Sequence, residues 1–171
     1  IVPKSGGVYR LCGNGFAGKS MRQYAEAWTA MALMNGQYVH WIDGACRFNP
    51  DRILRCFPET YPEANYLLRN LIVVDGPIVM HLDAQVKERE ARTLLKRCMA
   101  KLTEVAEQND IAVIVITAAK AYSKRHKVLL DIVDKQCNQK LLGRNRRKGG
   151  VTKLWLVHQP TGNSGFREQW S

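Results

Sequence analysis

The sequence lacks paired cysteines, long apolar runs and an excess of acidic residues. Its five cysteines are odd in number and no two of them form a CxxC pair, which argues against a disulfide framework or a structural zinc site. We therefore expect reduced thiols and a cytoplasmic location, or a nuclear one if the source is eukaryotic. No apolar stretch approaches the ~20 residues of a membrane helix, and residues 1–8 lack the pattern of a secretion signal.

Basic residues greatly outnumber acidic ones. The 171 residues include 26 Lys and Arg against 15 Asp and Glu, a formal net charge of +11. Hydrophobic residues make up 46% of the chain, a composition typical of a folded domain. The length predicts one domain over residues 1–171. The charge predicts a polyanionic partner, without distinguishing nucleic acid from an anionic membrane.

Apolar patterns predict strands that alternate with helices. Strands are expected at residues 8–12, 38–42, 71–74, 111–117 and 152–157, the last at a sheet edge. Helices are expected at residues 19–34, 50–56, 83–108 and 128–142, the second capped by Asn49. The connections are long enough for parallel crossovers, so the expected fold class is α/β, a three-layer domain with a mostly parallel sheet and helices on both faces.

One segment matches the phosphate-loop pattern GxxxxGK[ST] at every fixed position. It reads Gly13-Asn14-Gly15-Phe16-Ala17-Gly18-Lys19-Ser20 and lies between an expected strand and an expected helix. Its glycines allow backbone N–H groups to surround phosphates, and the helix start adds positive potential. Lys19 is expected to reach the β- and γ-phosphates and Ser20 to ligate Mg²⁺, with Met21 completing the nucleotide-binding segment. The alternative is a glycine-rich turn with an incidental Lys-Ser pair.

A candidate metal-binding carboxylate follows the third expected strand. Four apolar residues, 71–74, precede Asp75, and Gly76 follows it. An Asp at this place in a phosphate-loop site holds the metal. Asp75 therefore joins Ser20 as an expected metal ligand and Lys19 as an expected catalytic residue. The alternative is an Asp-Gly turn at the end of a strand.

With these motifs in place, the chain resembles the RecA/RadA recombinase superfamily, on its archaeal–eukaryotic side. The resemblance rests on residues 1–10, 41–52, 92–118 and 144–157 together with the phosphate loop. It implies a RecA-like P-loop NTPase fold, ATP and Mg²⁺ as cofactors, and a function in DNA recombination or repair. It also implies DNA as a partner, expected to be single-stranded, and either self-association or a paralogue subunit.

Two positions depart from the active recombinases. The resemblance places a water-polarising Glu two residues after Asp43, where this chain has Ala45, and a γ-phosphate-sensing Gln where it has Ala118-Ala119. General-base assistance contributes about 10²- to 10⁴-fold in rate, so weak or absent ATP hydrolysis is expected. The base is unknown, and Asp43 and Glu88 are the acidic residues considered as replacements. The chain is thus expected to be a minimal RadA-like paralogue ATPase core.

Residues 120–153 carry most of the positive charge. They hold eleven Lys or Arg against two Asp, a net charge of +9, whereas a solvated face usually mixes the two signs. The resemblance implies a DNA-facing loop in this region. The expected DNA contacts are Lys124, Arg125, Lys127, Arg144, Arg146, Arg147 and Lys148. Tyr122 is an aromatic residue nearby that could stack on a base.

Two other classes of function stay open at this point. A small-molecule P-loop transferase, of the kinase or adenosyltransferase type, would need an acceptor pocket above the phosphates. A non-catalytic interaction subunit would hold any nucleotide only as a structural element. Nucleotide turnover with and without single-stranded DNA separates these classes from the recombination protein.

Overall fold

A computed structural model describes residues 3–13, 17–57, 69–77, 86–137, 139–145, 152–158 and 167–170. The strands in these ranges are β1 (Val8–Gly13), β2 (Val39–Asp43), β3 (Asn70–Asp75), β4 (Ile111–Ala118), β5 (Gln139–Asn145), β6 (Thr152–His158) and β7 (Arg167–Trp170). The helices are α1 (Ala17–Met34), α2 (Pro50–Cys56), α3 (Glu88–Gln108) and α4 (Lys124–Gln136). None of these helices is long and apolar enough to cross a membrane.

All the described strands belong to one sheet, in the order β2-β3-β4-β1-β5-β6-β7. The first five strands run parallel to one another, whereas β6 and β7 are antiparallel to their neighbours. The continuous apolar run 111–116 suits β4, which lies inside the sheet with helices on both faces. The expected mostly parallel α/β sheet is confirmed.

Alternate residues of β4 pack against opposite helical layers. Ile114 and Ile116 lie in a core cluster with Trp28 of α1, while Val113 and Val115 lie in a second cluster formed with α3 and α4. A strand directs successive side chains to opposite faces, so β4 fills both cores at once. The result is the expected three-layer arrangement.

The predicted helix 128–142 is wrong in its second half. α4 ends at Gln136, and residues 139–145 form β5, which pairs with β1 on one side and β6 on the other. Consecutive Leu141 and Leu142 are both buried, in different core clusters, an arrangement that a strand between two layers provides. Pairing with distant strands thus overrides the local helical pattern.

The predicted edge position of the strand at residues 152–157 is also wrong. β6 pairs with β5 on one side and with β7 on the other. β7 was not expected, because its four residues, Arg167–Trp170, show no apolar alternation. By contrast, the predicted cap of α2 is present, since the Asn49 side chain accepts a hydrogen bond from the Asp51 N–H at 3.0 Å.

The buried guanidinium of Arg10, a residue of β1, connects this strand to β4 and to α4. Arg10 is 3% exposed and donates to Asp134 of α4 at 2.6 Å, to Thr117 Oγ1 at 2.9 Å and to the Ala118 carbonyl at 3.0 Å. A buried cation is tolerated only where its donors are satisfied. Arg10 therefore holds the end of β4 and the helix α4 in register with β1.

Removing the acidic partner of Arg10 is expected to destabilise the fold strongly. Asp134→Ala leaves the guanidinium buried without its counterion, at a cost of about 3 kcal/mol in the free energy of unfolding. The matched control is Glu104→Ala, whose ion pair with Lys101 spans 3.3 Å between side chains 69% and 48% exposed; it should cost less than about 0.5 kcal/mol. Urea unfolding followed by circular dichroism measures both, and equal costs would contradict the role assigned to Arg10.

Candidate functional site

The carboxyl ends of the parallel strands meet at one edge of the sheet. Gly13 at the end of β1 is in register with Ala118 of β4 and with Gly143 of β5. Asp43 at the end of β2 is in register with Asp75 at the end of β3. Open parallel sheets bind ligands at this edge, where connections leave a strand towards opposite sides. The phosphate-loop segment and Asp75 therefore share the edge at which a ligand is expected.

The phosphate-loop pattern has the local structure that it requires. β1 ends at Gly13 and α1 begins at Ala17, so a short connection separates the strand from a helix N-terminus, whose first N–H groups lack intrahelical partners. Residues 14–16 and the side chains of residues 17–20 lie outside the described part of the chain. The contacts of Lys19 and Ser20 with nucleotide thus stay predictions. Met21 is 1% exposed, with its side chain in the core, so its side chain is not available to a nucleotide.

Asp75 is fully buried between two arginines. Its exposed fraction is 0%; Oδ2 lies 3.1 Å from Nε of Arg22 and Oδ1 lies 3.4 Å from Nη2 of Arg47. A carboxylate is rarely buried unless it is paired, and the two guanidiniums meet this requirement. Sequence reasoning missed both arginines. Arg22, two residues beyond Ser20, could have been found as a neighbour of the phosphate loop, whereas no spacing rule pointed to Arg47.

The donor chemistry at Asp75 suits a hard divalent cation. Mg²⁺ binds few protein carboxylates and completes its shell with water and substrate phosphates, so one Asp with a hydroxyl such as Ser20 is an adequate protein contribution. Across the ranges that the structure describes, no group of three or more His, Cys, Asp or Glu side chains forms a metal cluster. Any Mg²⁺ at this edge would therefore depend on Asp75, Ser20 and the nucleotide, and it would approach a carboxylate that already contacts Arg47.

Asp43 shapes the turn that carries Arg47. Its Oδ1 accepts the backbone N–H of Arg47 and its Oδ2 that of Phe48, both at 2.9 Å. The Arg47 N–H bond is the largest influence on the pKa of Asp43 and lowers it; partial burial opposes this shift and the Phe48 N–H reinforces it. A lowered pKa makes a weaker base. Asp43 is therefore better suited to fix the turn than to replace the missing Glu, and Glu88 lies exposed in the first turn of α3.

Gly44 allows this turn to approach the end of β3. A Cβ at position 44 would lie 2.8 Å from the carbonyl oxygen of Gly76, closer than real Cβ atoms come, and 3.0 Å from that of Asp75, closer than most do. The missing side chain thus lets the backbone after β2 pack on the backbone after β3. This close approach brings Arg47 within reach of Asp75.

The basic segment begins beside the phosphate-loop edge. β4 and β5 both end there, so the stretches that follow, which include the predicted DNA contacts, start at the same place. Lys124 and Lys127 are exposed at the start of α4, whereas Arg125 is partly buried and donates to the Val86 carbonyl at 2.7 Å. Arg144 lies in β5, its side chain outside the described part, and residues 146–148 are not described at all.

Tyr122 remains available for stacking from one side. Its side chain is 82% exposed, and its ring stacks on His126 with the centroids 4.7 Å apart. The backbone N–H of Tyr122 donates to Nδ1 of His126. Burial, and then the nearby Arg10, lowers the pKa of His126, which favours the neutral ring that accepts this bond.

Replacement of Asp43 by Asn is expected to weaken the turn in a pH-dependent way. An amide offers one acceptor oxygen where the carboxylate offers two, so Asp43→Asn should cost about 0.5–1.5 kcal/mol at pH 7, the range for one lost hydrogen bond. Because the folded-state pKa is lowered, the stabilisation by Asp43 is complete above its unfolded value of 3.8 and is lost as the pH falls through the folded value.

The difference in free energy of unfolding between wild type and Asp43→Asn should therefore shrink from pH 7 to pH 3. Urea unfolding at both pH values measures it. Glu107→Gln, a substitution at an exposed position of α3, is the control and should change stability by less than about 0.5 kcal/mol. A difference that is the same at both pH values would show that the two hydrogen bonds do not depend on the charge of Asp43.

Comparison with known proteins adds a likeness to solved structures. No protein-family model matches the chain, and no curated protein matches it. Among solved structures it is similar to the crystal structure of the RadB recombinase, with a TM-score of 0.61, 14% sequence identity, and coverage of 95% of this chain and 86% of that chain. At this identity the likeness concerns the fold alone, and the RadA-like paralogue assignment stays a prediction. The chain has the RecA-like α/β fold that its sequence predicted.

Proposed function

We propose that this chain is a RecA-like ATP-binding protein of DNA recombination or repair, formed by one domain over residues 1–171. The observation that supports the proposal best is the complete phosphate-loop pattern, set between β1 and α1 at the carboxyl edge of a RecA-like sheet. A glycine-rich turn of no function would not require this combination of strand, helix and sheet edge.

In the proposed complex, the backbone of the loop and the start of α1 bind the phosphates. Lys19 contacts the β- and γ-phosphates, while Ser20 and Asp75 hold Mg²⁺. The ion, when bound, neutralises charge on the phosphates. Arg22 orients the buried carboxylate of Asp75 by its contact at 3.1 Å.

Hydrolysis is proposed to be slow or absent. The position expected to carry the base is Ala45, and the nearest alternative, Asp43, uses both carboxylate oxygens for the turn. At the end of β4, the Ala118 carbonyl and the Thr117 hydroxyl both accept bonds from Arg10. Neither position 45 nor the end of β4 therefore offers a side chain that would orient an attacking water.

DNA, expected to be single-stranded, is the proposed partner of the same edge. Residues 120–153 have a net charge of +9, and the segments after β4 and β5 begin next to Gly13. Phosphate contacts of this kind release counterions and are independent of sequence. Self-association or a paralogue subunit, which the resemblance of the sequence to the RecA/RadA superfamily implies, completes the proposal.

Lys19→Ala is expected to weaken ATP binding by at least about tenfold, because it removes the charge nearest the terminal phosphates. Titration with N-methylanthraniloyl-ATP measures the affinity, and a phosphate-release assay measures turnover in the same samples. Lys101→Ala, on the exposed face of α3, is the matched control and should bind like wild type. Unchanged affinity in Lys19→Ala would refute the site, while turnover that needs a small-molecule acceptor would favour a P-loop transferase.

Replacement of Arg144, Arg146 and Arg147 by Ala is expected to flatten the salt dependence of DNA binding. Each contacted phosphate of a single strand contributes about 0.7 log unit of affinity per log unit of salt, so loss of three contacts should lower the slope by about two. Labelled oligonucleotides titrated at several salt concentrations measure it.

The control for this experiment removes the same charge elsewhere. Arg89, Arg92 and Arg97 are exposed on α3, and their replacement by Ala should leave the slope close to that of wild type. If both triple variants change the slope equally, the effect comes from net charge and the segment after β5 does not contact DNA.

A further inference from the structure

The two arginines that pair with Asp75 differ in burial and in distance. Arg22 lies on α1, has a side chain 12% exposed and approaches Oδ2 to 3.1 Å. Arg47 lies on the turn after β2, has a side chain 51% exposed and approaches Oδ1 only to 3.4 Å. One carboxylate oxygen is thus held by a buried, helix-borne cation, and the other by a half-exposed cation with a longer contact.

We propose that Arg47 is a tethered cation that occupies Oδ1 of Asp75 in place of the metal, so that Mg²⁺ and Arg47 compete for this oxygen. Nucleotide binding then requires a higher Mg²⁺ concentration than it would if Asp75 were free. This inference rests on the proposed function, since it concerns the nucleotide site formed by residues 13–20 and Asp75.

The turn fixes the backbone of Arg47 and leaves its side chain free to exchange partners. Asp43 binds the N–H groups of Arg47 and Phe48, and the ring of Phe48 packs on Trp41 with centroids 5.4 Å apart. Gly44 seats the turn on the backbone of residues 75 and 76. A fixed backbone keeps the guanidinium at high local concentration near Asp75, while a half-exposed side chain can leave without unfolding the turn.

The two guanidiniums at Asp75 oppose the approach of a cation to its carboxylate. Both contact the carboxylate oxygens, although Asp43 and Glu26, which interact with the same arginines, leave the wider group without an excess of positive charge. A dication that approaches Oδ1 is repelled by both guanidiniums before it can bind the carboxylate. Once displaced, Arg47 remains tethered at the same edge, and a guanidinium is well suited to phosphate oxygens. Arg47 therefore opposes the metal and supports the nucleotide.

The experiment is a Mg²⁺ titration of nucleotide binding with the full chain. N-methylanthraniloyl-ATP affinity is measured from EDTA alone to saturating Mg²⁺ for wild type, Arg47→Ala, Arg47→Gln and Arg52→Ala. The Mg²⁺ midpoint of both Arg47 variants should fall by about twofold to fivefold, the factor expected from loss of a half-exposed ion pair. Their affinity for metal-free nucleotide should fall by a similar factor.

The matched control separates this effect from a general change of charge. Arg52 is a half-exposed arginine of α2 that pairs with Glu26 at 3.9 Å, and Arg52→Ala should keep the wild-type midpoint. Arg47→Gln keeps the first methylene groups and a polar end without the charge, and it is the variant to use if Arg47→Ala does not fold.

The outcomes distinguish this inference from the proposed function. A wild-type midpoint in a folded Arg47 variant overturns the competition while the nucleotide site stands. Equal shifts in the Arg47 and Arg52 variants overturn it as well, because the effect would then be one of net charge. Absence of nucleotide binding in wild type at every Mg²⁺ concentration overturns the proposed function and this inference together.

Discussion

The parallel pairing of β1 with β4 and β5 is the constraint on which the candidate site depends. Backbone hydrogen bonds set Gly13 opposite both Ala118 and Gly143, so three connections leave the sheet at one place. A slip of one residue in either pairing would turn each side chain of the strand to the other face and exchange the two cores of β4. The hydrophobic layers therefore determine the position of the phosphate-loop segment, although they contain none of its polar groups.

Two buried ionic clusters reinforce this edge, and they act on different elements. Arg10 connects the end of β4 to α4, and Asp75 connects the end of β3 to α1 and to the turn after β2. Burial of an ion pair seldom adds net stability, because desolvation offsets the attraction. Their value lies in geometry: each fixes the relative positions of chain segments that the apolar layers alone would leave free to slide.

The sequence predicted the parts of the structure that are specified locally. The helix at α2, with its Asn49 cap, follows from residues within one turn, and β4 follows from a continuous apolar run. β5 could not be predicted in this way, because Gln139–Asn145 becomes a strand through pairing with β1 and β6. Both partners are specified outside the segment itself. The partners of Asp75 were missed for the same reason. Arg47 reaches it only because Gly44 lets two strand ends approach, and no motif encodes that contact.

A site that binds nucleotide without rapid turnover would act through occupancy. Under the proposed function, the chain keeps the phosphate loop and the buried Asp75 but has Ala45 in place of the base and Arg47 beside the metal position. A ligand that binds only the folded state stabilises it by about 2.7 kcal/mol at one hundred times its Kd. That stabilisation would act at the edge of the sheet where β4 and β5 end and the basic segments begin. Bound nucleotide would then remain beside the segments proposed to contact DNA until it dissociated, and release, not hydrolysis, would end that state.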